Sequence, residues 1–267
     1  MVASDIVVQN TQTSNGDLGN GISVEAQSRL VLERGYLDGN GALGLAVYDA
    51  DSRVEASDLV VRNTLGDSAG SGRGIHIQNG ARLILTRAEL ESNRGAGIYI
   101  GYSGTQAELT DVRVESTLPT VRGIYGRGLS LENGASLTFE RLQFESNTEV
   151  GFTVVDAGTN AEGTDLIVRN TNSRVDGSGG SGVQVNFGAS LVLERGFLDG
   201  NRESSLLVSD VDSSLSASDL VIQNTQVASC AEDPELECGL AGGGFGDGLL
   251  VIGGSSVELN RFSATGH

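Results

Sequence analysis

Three glutamates, Glu91, Glu115 and Glu145, stand at matching places in three successive segments, and Arg113 lies two residues before the middle one. Carboxylates held a few ångströms apart repel, so such a column needs an offset. A hard cation is one, which makes Glu91, Glu115 and Glu145 a candidate Ca²⁺ site. A retained proton is another, which makes Glu91, Glu115, Glu145 and Arg113 the candidates for acid–base catalysis. Neutralisation by Arg62, Arg113 and Arg169 is the third, and leaves a plain solvated surface. His76 is the one internal histidine. Ile75 and Ile77 point inward, so His76 projects outward and reads as an ordinary surface residue without a second His or Cys to complete a metal site. Tyr48, Tyr99 and Tyr102 offer rings for stacking on sugars. Cys230 and Cys238 share one polar loop with no His nearby, which favours a disulfide and an oxidising compartment over a metal. Gly242-Gly243-Gly244 has no following Lys and so lacks the parts of a phosphate cradle. No cofactor other than Ca²⁺ is implied.

These residues sit on a repeat. Ala3-Ser4-Asp5-Ile6-Val7-Val8-Gln9-Asn10-Thr11 returns as Ala56-Ser57-Asp58-Leu59-Val60-Val61-Arg62-Asn63-Thr64 and as Ala217-Ser218-Asp219-Leu220-Val221-Ile222-Gln223-Asn224-Thr225. Shorter copies begin at Thr164 and, degenerate, at Thr110. Each unit has two similar halves, marked by Gly-apolar-x-apolar at Gly21, Gly44, Gly74, Gly97, Gly128, Gly151, Gly182 and Gly248, with Ser205 once in place of Gly. Alternation of apolar and polar residues over four to six positions, bounded by Gly and Asn, is a strand signal. A coil so short cannot bury its apolar face alone, so the coils must stack, at about 4.8 Å per step. The expected fold is all-β: a single-stranded right-handed parallel β-helix of about ten coils, with three short strands per coil. Recurrent Asn40, Asn93, Asn147 and Asn201 are expected at one corner, with left-handed backbone angles and hydrogen bonds along the stack. The reading is one domain over 1–267, excised from a larger protein, with 226–247 as an inserted loop.

Aligned on their inward residues, the coils show one outer column of Asp5, Arg34, Asp58, Arg87, Asp111, Arg141, Asp165, Arg195, Asp219 and Arg261. Its sign alternates without exception, which sets each charge between opposite charges and penalises a slip of one coil. A feature present at every rung reads as structural register. The second column, Gln9, Asp38, Arg62, Glu91, Glu115, Glu145, Arg169, Asp199 and Gln223, breaks that regularity at the triple Glu. The same coil carries an unusual loop with Pro119, Arg122, Tyr125 and Arg127.

The chain resembles the pectin-lyase-like parallel β-helix superfamily, in particular its secreted bacterial repeat proteins. The resemblance rests on coil length, the Gly-apolar-x-apolar strands and the Asn corners. It implies the fold over nearly the whole chain, but that superfamily spans lyases, hydrolases, epimerases, adhesins and passive stalks. The net charge of −18 disfavours nucleic acid and anionic membranes, and all 17 positive residues are Arg. No apolar run is long enough to insert in a membrane. The expected role is a non-catalytic structural or adhesive module, extracellular, periplasmic or on a bacterial surface. The alternative is a polysaccharide-binding rod or a polysaccharide lyase or glycoside hydrolase, Ca²⁺-dependent in one version. Partners would be polysaccharide, another surface protein, or a further copy joined end to end.

Overall fold

The computed structural model describes residues 1–13, 19–66, 72–227 and 246–266. Cys230, Cys238 and the glycine run of the inserted loop lie outside them. Nineteen strands and no helix occur among the described residues. Ten form one sheet: β1 (Val2–Gln9), β3 (Arg29–Asp38), β5 (Arg53–Arg62), β7 (Arg82–Glu91), β9 (Gln106–Glu115), β11 (Ser136–Glu145), β13 (Asn160–Arg169), β15 (Ser190–Asp199), β17 (Ser214–Gln223) and β19 (Ser256–Thr265). The nine shorter strands form the other: β2 (Ile22–Val24), β4 (Leu45–Tyr48), β6 (Ile75–Gln78), β8 (Ala96–Gly101), β10 (Arg127–Glu132), β12 (Val150–Val155), β14 (Ser181–Asn186), β16 (Glu203–Val208) and β18 (Gly246–Val251). Every pairing is parallel and joins a strand to its counterpart one coil away, so the chain is a parallel β-helix.

The long strands are folded at a corner. Asp5, Arg34, Asp58 and the rest of that column adopt left-handed backbone angles, with φ of 55° at Asp5 and 58° at Arg34, and drop out of the hydrogen-bonded register. Five residues on, Asn10, Gly39, Asn63, Ser92 and their successors turn left-handed again. Each coil therefore has two straight runs in the long strand and a third in the short one. Asn40, Asn93, Asn147 and Asn201 follow this second corner rather than occupy it. Gly39, Ser92, Ser146 and Gly200 supply the positive φ, which only a small or locally hydrogen-bonding residue takes easily. The asparagines are buried and reach back one coil. Asn93 accepts from the Thr64 amide at 3.2 Å and hydroxyl at 2.7 Å, and donates to the Val61 carbonyl at 2.9 Å.

The core is one continuous stack. Leu37, Val61, Leu90, Val114, Phe144, Val168, Leu198 and Ile222 fill one inward column, all essentially inaccessible. Volume is traded between coils: the Phe139 ring occupies the space that a side chain at Gly163 would need. The motif glycines have a comparable cause. A Cβ on Gly97 would stand 2.2 Å from Val114 Cγ1 and 2.8 Å from the Gly128 carbonyl oxygen in the next coil.

Candidate functional site

The outer faces carry the groups with chemical potential. Sheet register aligns Arg62, Glu91, Glu115, Glu145 and Arg169 in one column, as the coil alignment requires. Arg113 lies between the lower two glutamates. Its Nη2 is 2.5 Å from Glu115 Oε2 and 3.1 Å from Glu145 Oε2, and Gln143 Nε2 donates to the same Glu145 oxygen at 3.1 Å. The two carboxylates thus converge on a guanidinium. Among the described residues, no group of three or more His, Cys, Asp or Glu side chains is arranged to hold a metal ion.

The alternating column is a set of clamps rather than a continuous ladder. Arg34, Arg87, Arg141, Arg195 and Arg261 each present Nε and Nη2 to both carboxylate oxygens of the Asp one coil earlier: Asp5, Asp58, Asp111, Asp165 and Asp219. Neighbouring clamps interact only through space. The guanidinium fork is satisfied by one carboxylate, and the third nitrogen turns sideways in three coils, to Glu33, Glu140 and Glu194. The Arg hydrogen bonds hold all five aspartates below the ordinary carboxylate range. Asp58 and Asp111 are therefore poor proton donors.

His76 departs from the expectation of an ordinary surface residue. It projects from the outer face of the nine-stranded sheet, in register with Ala46 and Tyr99, yet is only 6% exposed. Its ring lies 5.4 Å from that of Tyr48 and 4.7 Å from that of Tyr99. Arg73 Nη1 donates to Nδ1 at 2.8 Å, which leaves the proton on Nε2, 2.9 Å from Gln78 Oε1. Burial, reinforced by the Arg73 charge, pushes the imidazole down to about 4. A ring that is neutral and bonded at both nitrogens is poorly placed to accept a substrate proton. Tyr99 is equally occupied: it is 8% exposed, with the Arg73 guanidinium 4.1 Å from its centroid. Of the three tyrosines proposed for sugar stacking, Tyr102 is half exposed.

Beside this stack runs a cleft of about 450 Å³, with Arg73, Tyr99, Tyr125, Arg127, Ser130 and Glu132 among its walls. Arg127, flagged by its irregular loop, is pinned by Glu132 at 3.0 Å and Glu149 at 3.1 Å and lies 5.0 Å from the Tyr125 centroid. Thr153, Gln184 and Asn186 continue the cleft along the next coils. Arg73, Glu132 and Glu149 were not singled out by the sequence. Arg73 and Glu149 enter just before a Gly-apolar-x-apolar strand, and position relative to that motif was the available signal.

A family model described as a right-handed β-helix region matches residues 1–170. No curated protein sequence matches the chain. Among solved structures, one titled as a TibC-catalysed hyper-glycosylated TibA fragment aligns over 98% of this chain and 99% of its own. Its identity is 11% and its TM-score 0.18, too low to carry any argument.

Proposed function

The chain belongs to the right-handed β-helix family, and from that premise we propose that it is a rigid structural module of an extracellular or cell-surface protein and carries no catalytic reaction. The observation that carries this reading is the Asp–Arg clamp, repeated at five levels from Asp5 to Arg261 with the same two-nitrogen geometry. Such a device braces a stack along its whole length and has no single locus at which a reaction would be concentrated. Arg suits it because its planar fork meets a carboxylate in one geometry and keeps its charge. Oxidation of Cys230 and Cys238 to a disulfide belongs to the same reading.

Assay of the chain against neutral and anionic polysaccharides tests it. The expected result is no release of reducing ends and no new unsaturated products. Turnover that Glu115→Gln abolishes would overturn the proposal and make the Glu115–Arg113–Glu145 group catalytic.

The cleft supports a second reading, polysaccharide binding without cleavage. Gln184 and Asn186 present amides along it beside the Arg73 and Arg127 guanidinium groups, over a floor that includes the buried Ser130 and Thr153. Titration calorimetry with oligosaccharides of both charge classes would show saturable heat, weakened by Arg73→Ala. Identical heats for wild type and variant would remove the cleft from consideration.

A further inference from the structure

One wall of the cleft carries a residue whose place in the fold its packing does not explain. In the turns after the short strands the first residue takes left-handed backbone angles, and Asp49, Asn79, Asn133, Asp156 and Asp210 fill that place. Their short polar side chains tolerate such angles. Asp156 and Asp210 also accept a backbone amide from the preceding coil, from Asn133 at 3.1 Å and from Phe187 at 3.4 Å. Phe187 stands at the same place with φ of 56° and is 62% exposed. A bulky side chain at a left-handed angle costs stability, and one left in solvent recovers little of that by burial. Tyr125 repeats the combination, with φ of 64° and 43% exposure. It precedes β10 whereas Phe187 follows β14, so the two rings flank the cleft from opposite edges of the sheet.

Charge is spread unevenly along the same cleft. Arg127 is committed to Glu132 and Glu149. Arg73 forms no ion pair among the described residues: it donates to the neutral His76 ring and covers Tyr99. A half-buried guanidinium without a carboxylate is a seat for one, because its planar fork matches two carboxylate oxygens. The far end differs. It holds the Asp156 carboxylate and the Gln184 and Asn186 amides, and the chain around it carries a net charge of −18, so a second anion there is repelled. Tyr99, Ser130, Thr153 and Gln184 are register partners in four successive coils. The Arg73 seat over Tyr99 and the coil of Phe187 are therefore three steps apart, roughly 14 Å. That is the span of a trisaccharide.

We propose that the cleft binds a short oligosaccharide with one carboxylate-bearing residue at its end and neutral residues behind it. The carboxylate pairs with Arg73, hydroxyls of the neutral residues meet Gln184 and Asn186, and the C–H face of a sugar ring lies on Phe187. Phe187 makes that contact at a cost in stability, the usual exchange at a binding residue. This deepens the binding reading of the cleft and rests on it. It excludes a run of acidic sugars, which would set a carboxylate against Asp156.

Titration calorimetry with sialyllactose, lactose and trigalacturonate tests the assignment, alongside thermal melts. Sialyllactose carries a single terminal carboxylate and is expected to bind about tenfold tighter than either of the others. Arg73→Gln should remove that preference, and comparing the three probes on wild type keeps the test of charge independent of any variant. Phe187→Asn, which installs the residue that Asn133 supplies in the same conformation, should weaken sialyllactose about fivefold. The same variant should melt at or above wild type. Lactose or trigalacturonate binding as tightly as sialyllactose overturns this ligand while leaving the cleft a saccharide site. No heat with any of the three overturns both this proposal and the binding reading. Unchanged affinity in Phe187→Asn, or a variant that melts below wild type, overturns the role of Phe187.

Discussion

His76 shows how a residue on an outward strand position is nevertheless withdrawn from solvent. Tyr48 and Tyr99 flank it on neighbouring strands while Arg73 and Gln78 hold its two nitrogens, so the ring stays neutral in the fold. The unfolded chain binds a proton here near pH 6.5, whereas the folded chain refuses it until about 4. Stability contributed by the neutral ring is therefore present above the higher value and is lost as pH falls through this window, by up to roughly 3 kcal/mol. Urea unfolding at pH 4.5 and 7 should show that loss in wild type, and His76→Gln should flatten it. An unchanged difference between the two pH values in the variant would place the titration elsewhere. The triple-Glu column makes a second residue-scale case. Arg113 already draws Glu115 and Glu145 together, so Ca²⁺ and EDTA should leave the melting temperature of wild type unchanged. Arg113→Gln should melt lower and regain part of the loss with Ca²⁺. A Ca²⁺ response in wild type would instead make Glu91, Glu115 and Glu145 a cation site.

At the scale of the element, the corner after each long strand is held by a division of labour. One residue supplies the left-handed turn, and the next, in alternate coils, is a buried Asn that ties its coil to the preceding one. Truncating Asn93 to Ala would strand the Thr64 amide and hydroxyl and the Val61 carbonyl without their partner. Each is a buried polar group, and the expected loss is about 2–4 kcal/mol. Equilibrium unfolding in urea measures it, with Asn20→Ala, a half-buried side chain that donates to the exposed Ser23 hydroxyl, as the control expected to change little. Equal losses at both positions would mean that the coil-to-coil bonds add nothing beyond composition. The corner was legible in the sequence as a recurrent Asn. Its division between two adjacent residues was not, because the assignment of φ to Ser92 rather than Asn93 follows from which of them faces the interior.

The whole molecule is braced by clamps two coils high, and this bears on how the rod resists slippage. Each Arg is committed to the Asp behind it, but the net sign still alternates along the column. Exchanging one clamp, Asp58→Arg with Arg87→Asp, keeps a local pair while setting like charges against Arg34 on one side and Asp111 on the other. The double variant should melt below wild type, and the gap should narrow as salt is raised from about 0.02 to 0.5 M, because exposed charges are screened within a Debye length. A double variant as stable as wild type at low salt would reduce the column to independent pairs.

Sequence periodicity by itself determined the coil length, the inward columns, the order of the outward columns and hence which residues are neighbours between coils. In a solenoid each coil contacts only the next, so a one-dimensional repeat carries most of the three-dimensional contact map. The tertiary structure decided what lies across a strand or down from a loop: the burial of His76, the cover of Arg73 over Tyr99, the capture of Arg127 by Glu132 and Glu149, and the direction in which each Arg reaches. Those outcomes depend on side-chain length and on loops folding back over the sheet, and neither is periodic. The alternating charges therefore announce a ladder, and only the packed molecule shows that it is built as five separate clamps.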